Sequence, residues 1–180
     1  FNCQVSPLQD GTRRGIRLNE APGPGLAFVD GVAFGNGTIE LDIRGRDLQQ
    51  QSFLGIAFHA ADAQNYDGVY FRPFNFRAAD PERRIRAVQY ISMPSFPWQK
   101  LRTDHPGAYE KGVNPVPDPN GWFHVRVVVA SPQVSVYVEQ AKEPSLMVKQ
   151  LSARQSGMVG VWADNYGGDF ANLVITPARS

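Results

Sequence analysis

Hydrophobic and polar residues alternate along much of the chain. The clearest stretch is Thr38-Ile39-Glu40-Leu41-Asp42-Ile43-Arg44, with Ile39, Leu41 and Ile43 on one face and Glu40, Asp42 and Arg44 on the other. A period of two predicts a half-buried strand. Val134 to Val138 repeats the pattern, with valines facing one way and Ser135, Tyr137 and Glu139 the other. Phe123 to Val129 precedes it across Ser131-Pro132. Phe53 to His59 is almost continuously apolar, which predicts burial on both faces. Val69 to Phe76 and Ile85 to Ser92 predict two more strands, the first bent or ended by Pro73. Ala27-Phe28-Val29, Val159 to Trp162 and Phe170 to Thr176 complete the set. Asn36-Gly37 is a strong short turn signal between strands. The sum is about nine or ten strands, no convincing helix, and the spacing of a sandwich or jelly roll. The predicted class is all-β, a two-sheet antiparallel β-sandwich (jelly roll) with little or no helix.

Residues 1–25 read as an N-terminal arm with turns, ending in Pro22-Gly23-Pro24-Gly25. Residues 26–180 read as a single β-sandwich domain. Within it, Pro94, Pro97, Pro106, Pro115, Pro117 and Pro119 mark a long irregular loop over 93–121. Structureless stretches of that length inside one domain are usually functional.

Composition agrees with the pattern. The 17 glycines and 14 prolines among 180 residues weigh against helices. The formal charge of +1, from 18 basic and 17 acidic residues, calls for neither nucleic acid nor an anionic membrane. No apolar run approaches the roughly 20 residues of a membrane span. Cys3 is the only cysteine, which leaves no internal disulfide, Cys₄ zinc site or CxxC pair. The chain opens with Phe1, and the expectation is that an upstream piece, such as a signal peptide, was removed or lies outside it.

Several chemistries have no motif here. There is no G-x-S-x-G elbow, no phosphate-binding glycine loop, and His59, His105 and His124 lack HExxH spacing. Glu40 and Asp42 share a strand face about 7 Å apart. They resemble the start of the E-x-D-x-x-E strand of family 16 glucanases, but Arg44, Gly45 and Arg46 follow, so the acid/base position is missing. A solvated polar face, with Arg44 pairing with the carboxylates, is the expected reading. Asp62, Asn65 and Asp67, and again Asp164, Asn165 and Asp169, form oxygen-rich turns that would suit Ca²⁺. They are also ordinary turn residues. No metal site or cofactor is assigned, with Ca²⁺ kept as the alternative. Asn36-Gly37-Thr38 is a formal glycosylation sequon that the turn already explains. Trp122, opening a strand, is expected in the core, and Trp98, beside Pro97, at the surface or a site.

Two runs carry a family resemblance. Phe53-Leu54-Gly55-Ile56-Ala57-Phe58, then Asn65-Tyr66-Asp67-Gly68-Val69-Tyr70-Phe71-Arg72, resemble the concanavalin A-like lectin/glucanase superfamily. They look most like its laminin-G-like and 3-keto-disaccharide hydrolase branches. Gly121-Trp122-Phe123-His124-Val125-Arg126-Val127 is similar to the G-x-W-x-x-hydrophobic-x-V strand of those domains. Gly157 to Trp162 and Phe170 to Ile175 are similar to their closing pair of strands. The likeness covers roughly residues 26–177. It implies a jelly roll with ligands on the concave sheet or its rim loops. It does not imply activity, because members include lectins, glycosidases, lyases and adhesive modules.

Alternation then places candidates. If Val69, Phe71 and Val161 face the core, Tyr70, Arg72 and Trp162 face away from it. His59 is expected opposite Phe58. Which of Gln89 or Tyr90 faces inward stays open. The expected ligand site is a concave patch of His59, Tyr70, Arg72, Gln89, Trp162 and Asp164, walled by Trp98, Arg102 and Tyr109. The expected partner is a saccharide, with neither nucleic acid nor a membrane span. The expected function is glycan binding; the alternatives are a glycoside hydrolase or lyase and a laminin-G-like adhesion module. No catalytic residue is assigned, and Glu110, Asp104, Asp164 and His59 are the candidates for an acid or base. The resemblance implies an extracellular or periplasmic location. The sequence assigns no oligomeric state.

Overall fold

The computed structural model describes residues 1–179. Among these residues, thirteen strands form two antiparallel sheets. The seven-stranded sheet contains β1 (Val5–Asp10), β2 (Arg13–Leu18), β4 (Gly37–Arg44), β9 (Trp122–Ala130), β10 (Gln133–Val138), β11 (Leu146–Lys149) and β13 (Gly168–Pro177). Its order is β1-β2-β13-β4-β9-β10-β11. The six-stranded sheet contains β3 (Ala21–Phe28), β5 (Ser52–Ala60), β6 (Tyr66–Phe71), β7 (Val88–Met93), β8 (Glu110–Lys111) and β12 (Met158–Asn165), in the order β3-β12-β5-β6-β7-β8. The predicted antiparallel jelly-roll sandwich is the fold found.

Alternation does its expected work in the seven-stranded sheet. Ile39, Leu41 and Ile43 on β4, and Val125, Val127 and Val129 on β9, point into the core. They meet Leu54, Ile56 and Phe58 of β5 and Val69 and Phe71 of β6 from the other sheet. Phe71, Phe76 and Phe123 pack edge-on, with Phe123 centred 5.2 Å from Phe71 and 5.3 Å from Phe76. Fully burying side chains of this size contributes roughly 1.5–3 kcal/mol each.

The six-stranded sheet is buried on both faces, as the apolar run of β5 predicts. A second cluster covers its outward face: Leu26, Ala57, Tyr66, Tyr70, Ile91, Leu101 and Trp162. Leu101 comes from α2 (Trp98–Asp104), a short helix that docks over this face.

Four parts of the chain differ from the sequence reading. Residues 1–25, expected as an arm, build β1, β2 and most of β3. β1 and β3 are edge strands, where Pro7, Pro22 and Pro24 cost no ladder partner. The stretch from 93 to 121 contains α2 and β8, not irregular chain alone. The strand expected to run to Phe76 stops at Phe71, and Pro73–Asn75 turn into a 3-10 helix because proline starts a helix more readily than it continues a ladder. Likewise the strand expected from Ile85 begins at Val88, after α1 (Pro81–Arg84), which Asp80 caps by accepting from the Glu82 N–H. Among the described residues, no helix is long and apolar enough to cross a membrane.

Candidate functional site

Antiparallel register lines up one transverse row of residues on the outward face of the six-stranded sheet. Leu26 of β3 pairs with Trp162 of β12, Trp162 with Gly55 of β5, and Gly55 with Tyr70 of β6. Tyr70 pairs with Gln89 of β7, and Gln89 with Glu110 of β8. Residues directly paired across strands project to the same face. Residues far apart in sequence thus form one continuous strip.

A cavity of about 460 Å³ opens above this strip. Tyr70 and Trp162 form its floor, with ring centroids 4.6 Å apart. The Trp162 indole N–H donates to the Tyr66 hydroxyl at 3.0 Å. Phe53 stands edge-on to Tyr70 at 6.3 Å. Trp98, the first residue of α2, rises as a wall and keeps 38% of its surface exposed. The Arg102 guanidinium lies 4.6 Å over the Trp98 ring, one helical turn along.

Beneath the wall is a buried charge network. Arg102 donates to both oxygens of Glu110, at 2.7 and 2.9 Å. This two-pronged geometry is the strong form of an arginine–carboxylate bond. Arg72 also reaches Glu110, at 3.4 Å, and donates to the Tyr70 hydroxyl at 2.8 Å and to Gln89 Oε1 at 3.3 Å. Arg86 Nε is 3.7 Å from Glu110. Burial pushes the Tyr70 hydroxyl up to about 12, with Arg72 pulling the other way, so the phenol stays neutral. Burial also lowers the Arg72 pKa, while Tyr70 and Glu110 favour its charge.

Asp164 is the only carboxylate among the residues lining the cavity. Burial raises its pKa above the usual carboxylate range, since a half-buried charge loses solvation.

Tyr70, Arg72, Trp98, Arg102, Trp162 and Asp164 all line the cavity. Gln89 lies behind it, bracing Arg72 while its own amide donates to the Tyr90 carbonyl. Tyr109 is half-buried against Tyr90 and His105 and does not line the cavity. His59 is not part of the patch at all. It is fully buried, bonded to the Gly35 carbonyl at 2.7 Å, and flanked by Phe34 and Phe58. Its backbone takes φ 48°, and the β5–β12 register shifts between Met158 and Gly160. That bulge breaks the alternation at His59, and Ala60 takes the outward position instead.

The other candidates have different partners. Asp62 Oδ1 accepts from the Gln64 and Asn65 N–H groups and from the Asn65 amide. Asp67 is buried, bonded to Ser152 at 2.7 Å, Gln150 at 2.9 Å and Tyr90 at 3.1 Å. Asp169 is held by Arg17 and Arg44. These oxygens do not converge, and among the described residues no group of three or more His, Cys, Asp or Glu side chains is arranged to hold a metal. Asp104 pairs with Lys100 on the exposed side of α2. Glu40 and Asp42 lie on the outer face of the other sheet, both bonded to His124, and Asp42 also to Arg13. Arg44, expected to pair with them, reaches Asp10 and Asp169 instead. Trp122, expected in the core, is on that outer face, its N–H donating to Asp10 and its ring 4.5 Å from the Arg44 guanidinium.

Sequence reasoning missed Phe53, Tyr66, Arg83 and Arg86 in the cavity wall. A visible signal was the basic run Arg83-Arg84-Ile85-Arg86 next to Pro81.

No protein-family model matches the chain, and no curated protein matches it in sequence. Solved structures do match in shape. The carbohydrate-binding module CBM66 from Bacillus subtilis superposes with a TM-score of 0.64 at 13% identity, covering 96% of this chain and 93% of that one. The Bacillus licheniformis β-glucanase gives 0.60 at 15% identity, covering 99% and 86%. The exoplasmic/lumenal domain of VIP36, in its Ca²⁺/Man3GlcNAc-bound form, gives 0.60 at 8% identity, covering 99% and 83%. The chain has the fold of the concanavalin A-like lectin/glucanase superfamily. Its structural neighbours include a carbohydrate-binding module and a legume lectin-like domain.

Proposed function

We propose that this protein binds a saccharide in the cavity over the six-stranded sheet. The observation that carries the reading is the aromatic surface there: Tyr70 and Trp162 as floor and exposed Trp98 as wall, beside planar polar groups from Arg102 and Asn165. Aromatic faces pack against the C–H patches of sugar rings, and planar donors read their hydroxyls. A concave, mostly apolar pocket with a few converging polar groups suits that task. The sugar-binding and sugar-cleaving proteins that share the fold support it by analogy.

Binding is favoured over hydrolysis by the carboxylates. Glycosidases of the common kind set two across the bond to be cut. Here Asp164 lines the cavity alone, and Glu110 is behind it, engaged by arginines. We place the encounter with glycan outside the cytoplasm, as for the lumenal VIP36 domain of the same fold. The test is a glycan screen by calorimetry with wild type and Trp98→Ala. Binding to at least one oligosaccharide that Trp98→Ala weakens roughly thirtyfold is the expected result. Binding to protein partners alone would point instead to an adhesion module, and release of reducing sugar to a hydrolase.

A further inference from the structure

Four guanidinium groups line the cavity, those of Arg72, Arg83, Arg86 and Arg102, against the single carboxylate of Asp164. Glu110, behind the wall, answers part of that charge through Arg102, Arg72 and Arg86. Glu82 pairs with Arg86 at 3.0 Å, but its own side chain is 70% exposed. Arg83 is the exception. Its Nε donates to Asn75 Oδ1 at 3.1 Å and one terminal nitrogen donates to the Phe74 carbonyl at 3.0 Å. Both acceptors are neutral, and among the described residues Arg83 makes no ion pair. It is a cation held in place by groups that orient it without cancelling it.

Asp164 does not cancel it either. Asp164 belongs to β12 and pairs with Phe53 of β5. Phe53 presents its ring 6.0 Å from the Arg72 guanidinium. The arginines come from the other side, from α1, the segment after it, the end of β6 and α2. Aromatic faces and guanidinium groups thus stand side by side in one cavity, Arg72 5.0 Å from the Tyr70 ring and Arg102 4.6 Å from the Trp98 ring. Low-dielectric walls concentrate the field of such charges. A planar guanidinium fork matches a carboxylate in particular.

We propose that the saccharide taken by this cavity is acidic: a uronate-type sugar whose ring packs on the aromatic side chains while its carboxylate meets Arg83 and the neighbouring arginines. This rests on the saccharide reading above and narrows it to a charge class.

The test is calorimetry at low salt with galacturonate, mannuronate and glucuronate trimers. Each is paired with its carboxyl-reduced neutral counterpart, and a sulfated trisaccharide is included. At least one uronate trimer should bind tenfold or more tightly than its reduced form, with affinity falling as salt rises. Arg83→Gln should erase most of that factor, lowering affinity for the uronate trimer far more than for its reduced form. Trp98→Ala should weaken both. Should Arg83→Gln misfold, the paired comparison and salt series on wild type still decide. Neutral trimers bound as well as uronates would overturn the charge class and leave the saccharide reading standing. Binding of the sulfated sugar alone would overturn the carboxylate. No binding to any saccharide, neutral ones included, would bring down both readings.

Discussion

Trp162 and Tyr70 lie ring against ring across Gly55, their centroids 4.6 Å apart and their planes 31° from parallel. Gly55 is the residue paired with each of them, on the strand between theirs. With no side chain on the middle strand, the two rings lean together over bare backbone. A Cβ at Gly55 would run into the Val69 carbonyl. Gly55→Ala should therefore push β5 away from β6 and cost about 1–3 kcal/mol, as overpacking does. Urea denaturation would measure it, and saccharide affinity should drop with it because the floor of the cavity is the same pair of rings.

Trp98 offers the opposite case, a side chain that serves the cavity more than the core. It is 38% exposed and begins a short helix whose buried anchor is Leu101. Trp98→Ala should leave the melting temperature within a few degrees of wild type. It should weaken saccharide binding by about 2 kcal/mol, roughly thirtyfold, as truncating an aromatic hot spot does. Thermal melts and calorimetry on the same sample separate the two effects.

Glu110 ties the wall to the sheet. Its side chain is 5% exposed and faces Arg72, Arg86 and Arg102. Removing it leaves buried guanidinium charge uncompensated. Glu110→Ala should cost about 3–5 kcal/mol in denaturant unfolding, the usual result of breaking a buried pair from one side. Glu82→Ala, whose side chain is 70% exposed, should change stability by under about 1 kcal/mol.

On the far sheet, His124 carries a pH signature. Burial works to lower its pKa, but the hydrogen bonds and charges of Asp42 and Glu40 outweigh it and raise the pKa above the usual histidine value. The folded state then holds the proton more tightly than the unfolded chain, whose value is near 6.5. That stabilisation is complete below about pH 6.5 and disappears as pH rises through the folded value. Melting temperature should fall across that window in wild type and run flatter in His124→Gln. Equal slopes for the two proteins would show that the histidine is not the group responsible.

Much of the sandwich was legible from local pattern. β4 alternates because one of its faces is buried and the other wet, and β5 reads as unbroken apolar because both of its faces are covered. The edge strands were not legible. β1 is mostly exposed and β3 mostly part-buried; they contain Pro7, Pro22 and Pro24, and so show neither alternation nor an apolar run. The helix α2 was hidden for a related reason: it is seven residues long with one buried side chain, too short for a helical period to show.

Alternation by itself placed Tyr70, Arg72 and Trp162 on one side of their strands, because successive side chains of any strand point to opposite faces. It failed at His59, where a left-handed residue and a register shift reverse the parity. What no local pattern could supply is which strands are neighbours and which residue pairs with which. Trp162, Gly55, Tyr70, Gln89 and Glu110 make a row only because five strands, drawn from positions 52 to 165, align at one register. That alignment is set by the packing of two whole sheets around one core. The sequence by itself determined which side chains turn outward; the tertiary structure decided that they meet, and that Arg83 and Arg86 join them from the short helix α1 and the segment that follows it.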